Sequence, residues 1–105
     1  MPADKVFKIG DMVQYAGDSI VSRTLAENRA GTITLFAFDA GQNLSEHTTP
    51  YDALVQVLDG EAEFTVGGKV HSVTSGHVLL MPAHIPHSVK AVKSFKMLLT
   101  MLRSA

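Results

Sequence analysis

The feature that most constrains the fold is a series of short runs with β-strand character, separated by turn residues at regular spacing. Asp59-Gly60 and Gly67-Gly68 join neighbouring runs, and such dipeptides indicate hairpins because the tight turns need positive φ. No window carries a sustained apolar period of about 3.6 residues, so we expect at most a short turn of helix near residues 9–15. This spacing predicts an all-β fold of antiparallel strands in a sandwich or barrel. The runs cover residues 19–26, 31–40, 53–58, 61–66, 69–73, 77–81, 87–92 and 95–102.

Length and composition limit the classes of function. The 105 residues suit one domain, which we divide into an N-terminal segment (1–18) and a barrel domain (19–105). The net charge of −1 and the lack of a basic run give no reason to expect a nucleic-acid partner. The absence of cysteine excludes disulfides and thiolate metal sites. No apolar stretch approaches the roughly 18 residues of a membrane span, and residues 1–5 lack a signal-peptide block, so we expect a cytoplasmic protein without a membrane partner.

Two of the predicted strands, residues 31–40 and 95–102, are apolar on both faces. One face of each must lie against the core, and the other needs a cover because large exposed apolar patches are uncommon on monomers. We expect a homodimer that buries the outer apolar side chains Phe36, Phe38, Leu98 and Leu102. The alternative is that residues 1–18 fold back over this face.

The histidines provide the candidate site. His47 shares its strand phase with Thr49 and, if that phase continues through the Pro50-Tyr51 turn, with Ala53 and Val55, whose small apolar side chains mark an interior face. His87 shares its phase with Val89 and Ala91, on another strand. Two inward histidines could supply two ligands of a divalent metal site, since neutral imidazole is a common metal ligand. From these two residues alone, the sequence favours the simpler interpretation, in which each histidine is hydrogen-bonded in a polar corner of the core.

The remaining side chains of interest have simpler interpretations. We expect a ligand pocket lined by Thr49, Ala53, Val55 and Val89. The five methionines are typical fillers of irregular core gaps. His71 and His77 adjoin turns, and we assign them no role.

Residues 41–60 resemble the first conserved motif of the cupin superfamily. Gly41, His47 and Gly60 match that motif in register. Thr49 stands where the motif has its second histidine, and Ala53 stands where it has a glutamate. The resemblance implies an antiparallel, double-stranded jelly-roll β-barrel.

Residues 76–91 resemble the second cupin motif. Gly76, Pro82 and His87 match, whereas His84 replaces a glycine and Ala91 replaces an asparagine. Together the two matches cover nearly the whole chain and identify it as similar to small single-domain cupins of the conserved-barrel type.

The resemblance implies a site inside the barrel. Metal-binding cupins take three histidines and a glutamate from the two motifs, and this chain keeps two of the four positions, His47 and His87. His84 would supply a third metal ligand if its turn folds over the barrel mouth. Glu46 and Asp52 are further candidate ligands on the rim. We expect at most one divalent metal ion, weakly bound.

Several functions remain open at this point. One is a non-enzymatic module that binds a small molecule, and a second is a metal-dependent enzyme, oxygenase-like or isomerase-like, acting on a small organic substrate. A third is a metal-free enzyme with His47 or His87 as general base. No feature of the sequence names a substrate, because one fold hosts many functions.

Overall fold

A computed structural model describes residues 1–103 of the chain. Its single helix among these residues is a 3-10 turn at Ile9–Asp11, in the place where the sequence predicts one. None of the described residues forms a helix long and apolar enough to cross a membrane. Nine strands follow the helix: β1 (Ile20–Asn28), β2 (Gly31–Phe38), β3 (Asn43–His47), β4 (Tyr51–Asp59), β5 (Glu61–Val66), β6 (Lys69–Thr74), β7 (Val78–Met81), β8 (His87–Ala91) and β9 (Phe95–Arg103).

The strands form two antiparallel sheets. One sheet has five strands in the order β1-β2-β9-β4-β7, and the other has four in the order β3-β8-β5-β6. Non-consecutive strands are neighbours in both sheets, as in a jelly roll. Within residues 1–103 no strand of one sheet pairs with a strand of the other, so the barrel consists of two facing sheets without continuous hydrogen bonding. The predicted all-β jelly-roll fold is confirmed.

The main core lies between the two sheets. Phe38 on β2 stacks on Phe95 of β9 with ring centroids 4.6 Å apart, and Phe64 of the opposite sheet meets Phe95 edge-on at 6.2 Å. All three rings are fully buried. Such aromatic pairs contribute about 0.5–1.5 kcal/mol each beyond the burial of their area. The aromatic cluster therefore holds the two sheets in a fixed relation around the space that the site occupies.

The expected outer face of β2 requires correction. Phe36 and Phe38 belong to the core between the sheets, whereas Leu35 and Ala37 form the outer face. The two faces are almost equally apolar, so the alternation along the strand did not indicate which one faces inward. Phe36 and Phe38 therefore give no support for an interface between two copies of the chain.

The N-terminal segment covers much of this outer face. Met12 and Val13 are buried against Leu35 and Ala37, and Leu98 packs against the same cluster. The alternative predicted for residues 1–18 is thus the arrangement that the structure shows over β2 and the middle of β9.

Polar contacts fasten the segment to the sheet. The Lys96 ammonium donates a hydrogen bond of 2.7 Å to the carbonyl of Gly10, and the Tyr15 hydroxyl donates to the Asp59 carboxylate.

Part of the outer face is not covered by the N-terminal segment. There, Val78, Leu80 and Leu102 are more than half exposed.

Candidate functional site

A small cavity opens between the two sheets at the end that carries the histidines. Its volume is about 60 Å³. This is well below the roughly 300–1,000 Å³ of sites that enclose drug-sized ligands, so the cavity suits an ion or a compact molecule. The lining side chains are Leu44, His47, Thr49, Ala53, Met81, His87, Val89, Met97, Leu99 and Met101.

The structure brings His47 and His87 together at this cavity. They are register partners on the neighbouring strands β3 and β8. Their imidazole rings lie edge to face, with centroids 4.4 Å apart and an interplanar angle of 66°. His87 is only 5% exposed, whereas His47 is exposed at the rim. The pair therefore reaches from solvent into the interior.

Backbone carbonyl groups fix the orientation of both rings. Nδ1 of His47 lies 2.7 Å from the carbonyl oxygen of Ser45, and Nδ1 of His87 lies 3.2 Å from that of Ile85. A carbonyl oxygen only accepts hydrogen bonds, so each Nδ1 must carry the proton and donate it. In the neutral state each Nε2 is then an unprotonated nitrogen with a free lone pair. The same arrangement orients histidines that bind metals.

The charge state of His87 favours this role. Burial lowers the pKa of His87 below its ordinary value, and the proximity of His47 lowers that pKa further, against the opposing effect of the bond to the Ile85 carbonyl. His87 is accordingly neutral at pH 7, and its Nε2 is able to accept a hydrogen bond or bind a cation.

Most of the predicted pocket residues line the cavity, but Val55 does not. Thr49, Ala53 and Val89 are lining residues, as are both histidines. Val55 shares the inward phase of Ala53 yet is fully buried deeper in the core. The strand phase was therefore read correctly, but it does not show how far the cavity extends along the strand.

The structure does not bring His84 into the cavity. Its side chain is exposed, and its backbone, with φ of 67°, donates a hydrogen bond of 2.8 Å to the Thr49 carbonyl. The Asp52 carboxylate accepts a hydrogen bond of 2.9 Å from the Ala83 amide. Asp52 thus anchors the turn at residues 82–86, and Glu46 is exposed.

The donor set differs from that of metal-binding cupins. Within residues 1–103 no group of three or more histidine, cysteine, aspartate or glutamate side chains is placed to hold a metal ion. The two imidazole nitrogens, without a carboxylate, do not make up the ligand set of three histidines and a glutamate that holds the metal in metal-binding cupins. Any divalent ion held here would depend on water or a ligand for most of its coordination shell.

The methionine and leucine side chains of the cavity wall were not predicted from the sequence. Met81, Met97 and Met101 line it, together with Leu44 and Leu99. Met97, Leu99 and Met101 share one face of β9, and that alternation was the available signal, but it reads equally well as core packing. Their position opposite the histidines follows only from the pairing of the strands.

The comparisons with known proteins agree on the family. The model of a protein family described as "Cupin domain" matches residues 34–102. No curated protein matches the chain. Among solved structures, a conserved protein of unknown function from Streptococcus pyogenes is 36% identical, with a TM-score of 0.94 over 100% of this chain and 92% of that one.

Two further solved structures extend this result. A cupin superfamily protein from Desulfitobacterium hafniense is 28% identical, with a TM-score of 0.91 over 99% of this chain and 95% of that one. A Cupin 2 conserved barrel domain protein from Leptotrichia buccalis is 40% identical, with a TM-score of 0.90. That match covers 92% of this chain and 47% of the Leptotrichia chain. The chain therefore belongs to the cupin family, as a small cupin of the conserved-barrel type.

Proposed function

We propose that this cupin is a binding module that holds a small ligand in the cavity through the paired Nε2 atoms of His47 and His87. The observation that carries the proposal is the hydrogen bond from each Nδ1 to a backbone carbonyl, because it leaves two oriented lone pairs at one cavity. A site that is oriented before binding loses less entropy when a ligand arrives.

The chemistry of the wall restricts the ligand class. Neutral imidazole Nε2 atoms accept hydrogen bonds and bind cations, so they favour a metal ion or a compact molecule with a hydroxyl or N–H donor. The other lining groups are apolar apart from Thr49, whose hydroxyl oxygen accepts a hydrogen bond from the Tyr51 amide. The organic part of such a ligand would be small and largely apolar.

Divalent metal binding at the pair is part of this proposal, and we expect it to be weak. Two nitrogen ligands leave most of the shell to water, and no acidic side chain of the described residues faces them. His84 would serve as a third ligand only after the turn at residues 82–86 gives up its bond to Thr49. A metal-dependent enzyme of the oxygenase or isomerase type would need that completed site and remains the alternative.

A titration with Zn²⁺ tests the proposal. Long-range ¹H–¹⁵N spectra of the histidine side chains report which nitrogens respond, and we expect shifts at Nε2 of His47 and His87. His47→Ala should abolish the response, and His77→Ala is the matched control, because His77 is exposed and bonds to Thr74 away from the cavity. Zn²⁺ shifts at His71, His77 or His84 alone would contradict the proposal.

We also propose that the chain forms a homodimer through the outer surface that the N-terminal segment leaves open. Val78, Leu80 and Leu102 are 62%, 56% and 52% exposed, and Leu80 is the register partner of Leu54 on the same face. Pairing this surface with its copy would remove it from water. Sedimentation velocity should show a dimer that Leu80→Lys converts to monomer, and a monomeric wild type would refute the proposal.

A further inference from the structure

The cavity combines two imidazoles with three thioethers on opposite walls. His47 and His87 lie on the four-stranded sheet, whereas Met81 of β7 and Met97 and Met101 of β9 lie on the five-stranded sheet. Facing sheets pack about 10 Å apart, so long side chains from both sheets approach each other across the gap. The described residues thus place five nitrogen and sulfur donor groups around one cavity of about 60 Å³.

Ala53 makes room for the sulfur atoms. Met81 and Met101 are the register partners of Ala53 on the two neighbouring strands, one on each side. A residue with a longer side chain at position 53 would project into the cavity between them. Alanine ends at Cβ, so the thioethers on either side form this part of the wall, at the position where the cupin motif has a glutamate.

The donor types select a class of ion. Thioether sulfur is a soft ligand that favours Cu⁺, and imidazole binds copper well. None of these five side chains carries a negative charge, and the remaining wall is largely apolar. A divalent ion in such a cavity would keep its full charge without a compensating carboxylate, which is costly to desolvate, whereas a monovalent ion carries half that charge.

We infer that the cavity is a site for a soft monovalent cation, Cu⁺, bound by Nε2 of His47 and His87 together with the thioethers of Met81 and Met101. The inference rests on the proposed function, since it uses the same pair of histidines. With Ala53 in place of the motif glutamate, the cavity binds divalent ions weakly, and Cu⁺ is the ion that its remaining donors would retain.

Methionine also fills core gaps without any binding role, and the chain provides a control for that interpretation. Met12 is buried, 9% exposed, but it lies on the outer face of the five-stranded sheet under the N-terminal segment. A Met→Leu exchange preserves volume and is among the best tolerated core substitutions. Met81→Leu and Met101→Leu remove sulfur at the cavity, whereas Met12→Leu removes it elsewhere.

Anaerobic titration of the full chain with Cu⁺, in competition with the chromophoric chelator bicinchoninate, tests the inference. We expect one Cu⁺ per chain, bound more tightly than Zn²⁺, with copper–sulfur scattering in the X-ray absorption spectrum. Met81→Leu with Met101→Leu should weaken Cu⁺ binding by about tenfold or more and remove that scattering, and Met12→Leu should change neither. Ag⁺ is a redox-inert second probe and should show the same pattern.

The outcomes separate this inference from the proposed function. The inference would be overturned if Cu⁺ bound no more tightly than Zn²⁺, or if the cavity and control methionine variants had equal Cu⁺ affinities. In either case, Zn²⁺ binding that depends on His47 would still support the proposed function. Cu⁺ and Zn²⁺ binding that are both insensitive to His47→Ala would overturn the two together.

Discussion

His47 and His87 face each other across β3 and β8, with ring centroids 4.4 Å apart and each Nδ1 bonded to a carbonyl two residues earlier. Both bonds are local, from residue i to residue i−2, so the backbone at the end of β3 and at the start of β8 sets the direction of each ring. The orientation of the pair therefore exists before any ligand arrives, and the predictions below follow from it.

The stability of the fold should decrease in mild acid because of His87. Its pKa is lowered in the folded chain, chiefly by burial, so below the ordinary histidine pKa of about 6.5 the unfolded chain takes up a proton first. Stability is then complete above that pH, falls as the pH drops through the interval down to the folded pKa, and levels off below it. Urea unfolding of wild type and His87→Gln between pH 7.5 and 5 measures this, and an equal slope in the variant would contradict the assignment.

Removal of divalent metal should leave the fold intact. The core of Phe38, Phe64 and Phe95 is fully buried without any contribution from a metal ligand, unlike a structural zinc site whose metal supplies folding energy. We expect EDTA to change the melting temperature by no more than a degree or so, on the order of a few tenths of a kcal/mol. A large cooperative loss of stability on chelation would show that metal holds the two sheets together.

A carboxylate restored at position 53 should raise the affinity for divalent ions. Ala53 lines the cavity with both histidines, so Ala53→Glu adds a charged oxygen ligand to two nitrogens. Ala53→Gln is the matched control, because it has the same shape without the charge. We expect calorimetry to show Zn²⁺ binding at least about tenfold tighter in the glutamate variant than in the glutamine variant. Equal affinities would mean that position 53 does not face the imidazoles.

The two motif glycines at residues 60 and 76 should respond very differently to alanine. Both have positive φ, +77° and +86°, which costs an L-residue about 1–2 kcal/mol. A Cβ at residue 60 would in addition lie 2.0 Å from the Ser94 carbonyl oxygen, whereas one at residue 76 meets nothing within 4 Å. Gly60→Ala should lose about 3 kcal/mol or more of unfolding free energy and Gly76→Ala about 1–2 kcal/mol. Similar losses in urea unfolding would contradict the close approach at Gly60.

The strands were predictable because their signals are local. Alternation and glycine turns located β5 (Glu61–Val66) without error and most other strands within two or three residues. The predicted runs do not include β3 (Asn43–His47), whose first residue, Asn43, pairs with Lys90. That pairing joins distant parts of the chain, and no local pattern encodes it.

The choice of faces was less predictable. The alternation of Phe36 and Phe38 with Leu35 and Ala37 separated two apolar faces, but the cover over the second face comes from Met12 and Val13. These residues lie in an irregular segment without periodicity, so the sequence offered no pattern that pairs the segment with β2.

In the candidate site, too, the sequence predicted what depends on local patterns and not what depends on strand pairing. Strand phase and the motif matches pointed to His47 and His87, and the structure places these side chains together. His84 depends on the conformation of a five-residue turn, which phase does not determine. Met81 and Met101 flank Ala53 only through the registers of β4 with β7 and β9, so their place in the cavity wall required the structure.

A double-mutant cycle on Zn²⁺ binding tests most directly whether His47 and His87 act as one binding element. Calorimetric titrations of wild type, His47→Ala, His87→Ala and the double variant give four binding free energies, with circular dichroism confirming that each chain folds. We predict that either single substitution removes nearly all measurable binding, so that the double variant loses little more, with a coupling of about 0.5–3 kcal/mol. Additive losses, or full binding in either single variant, would contradict a shared site between these two rings.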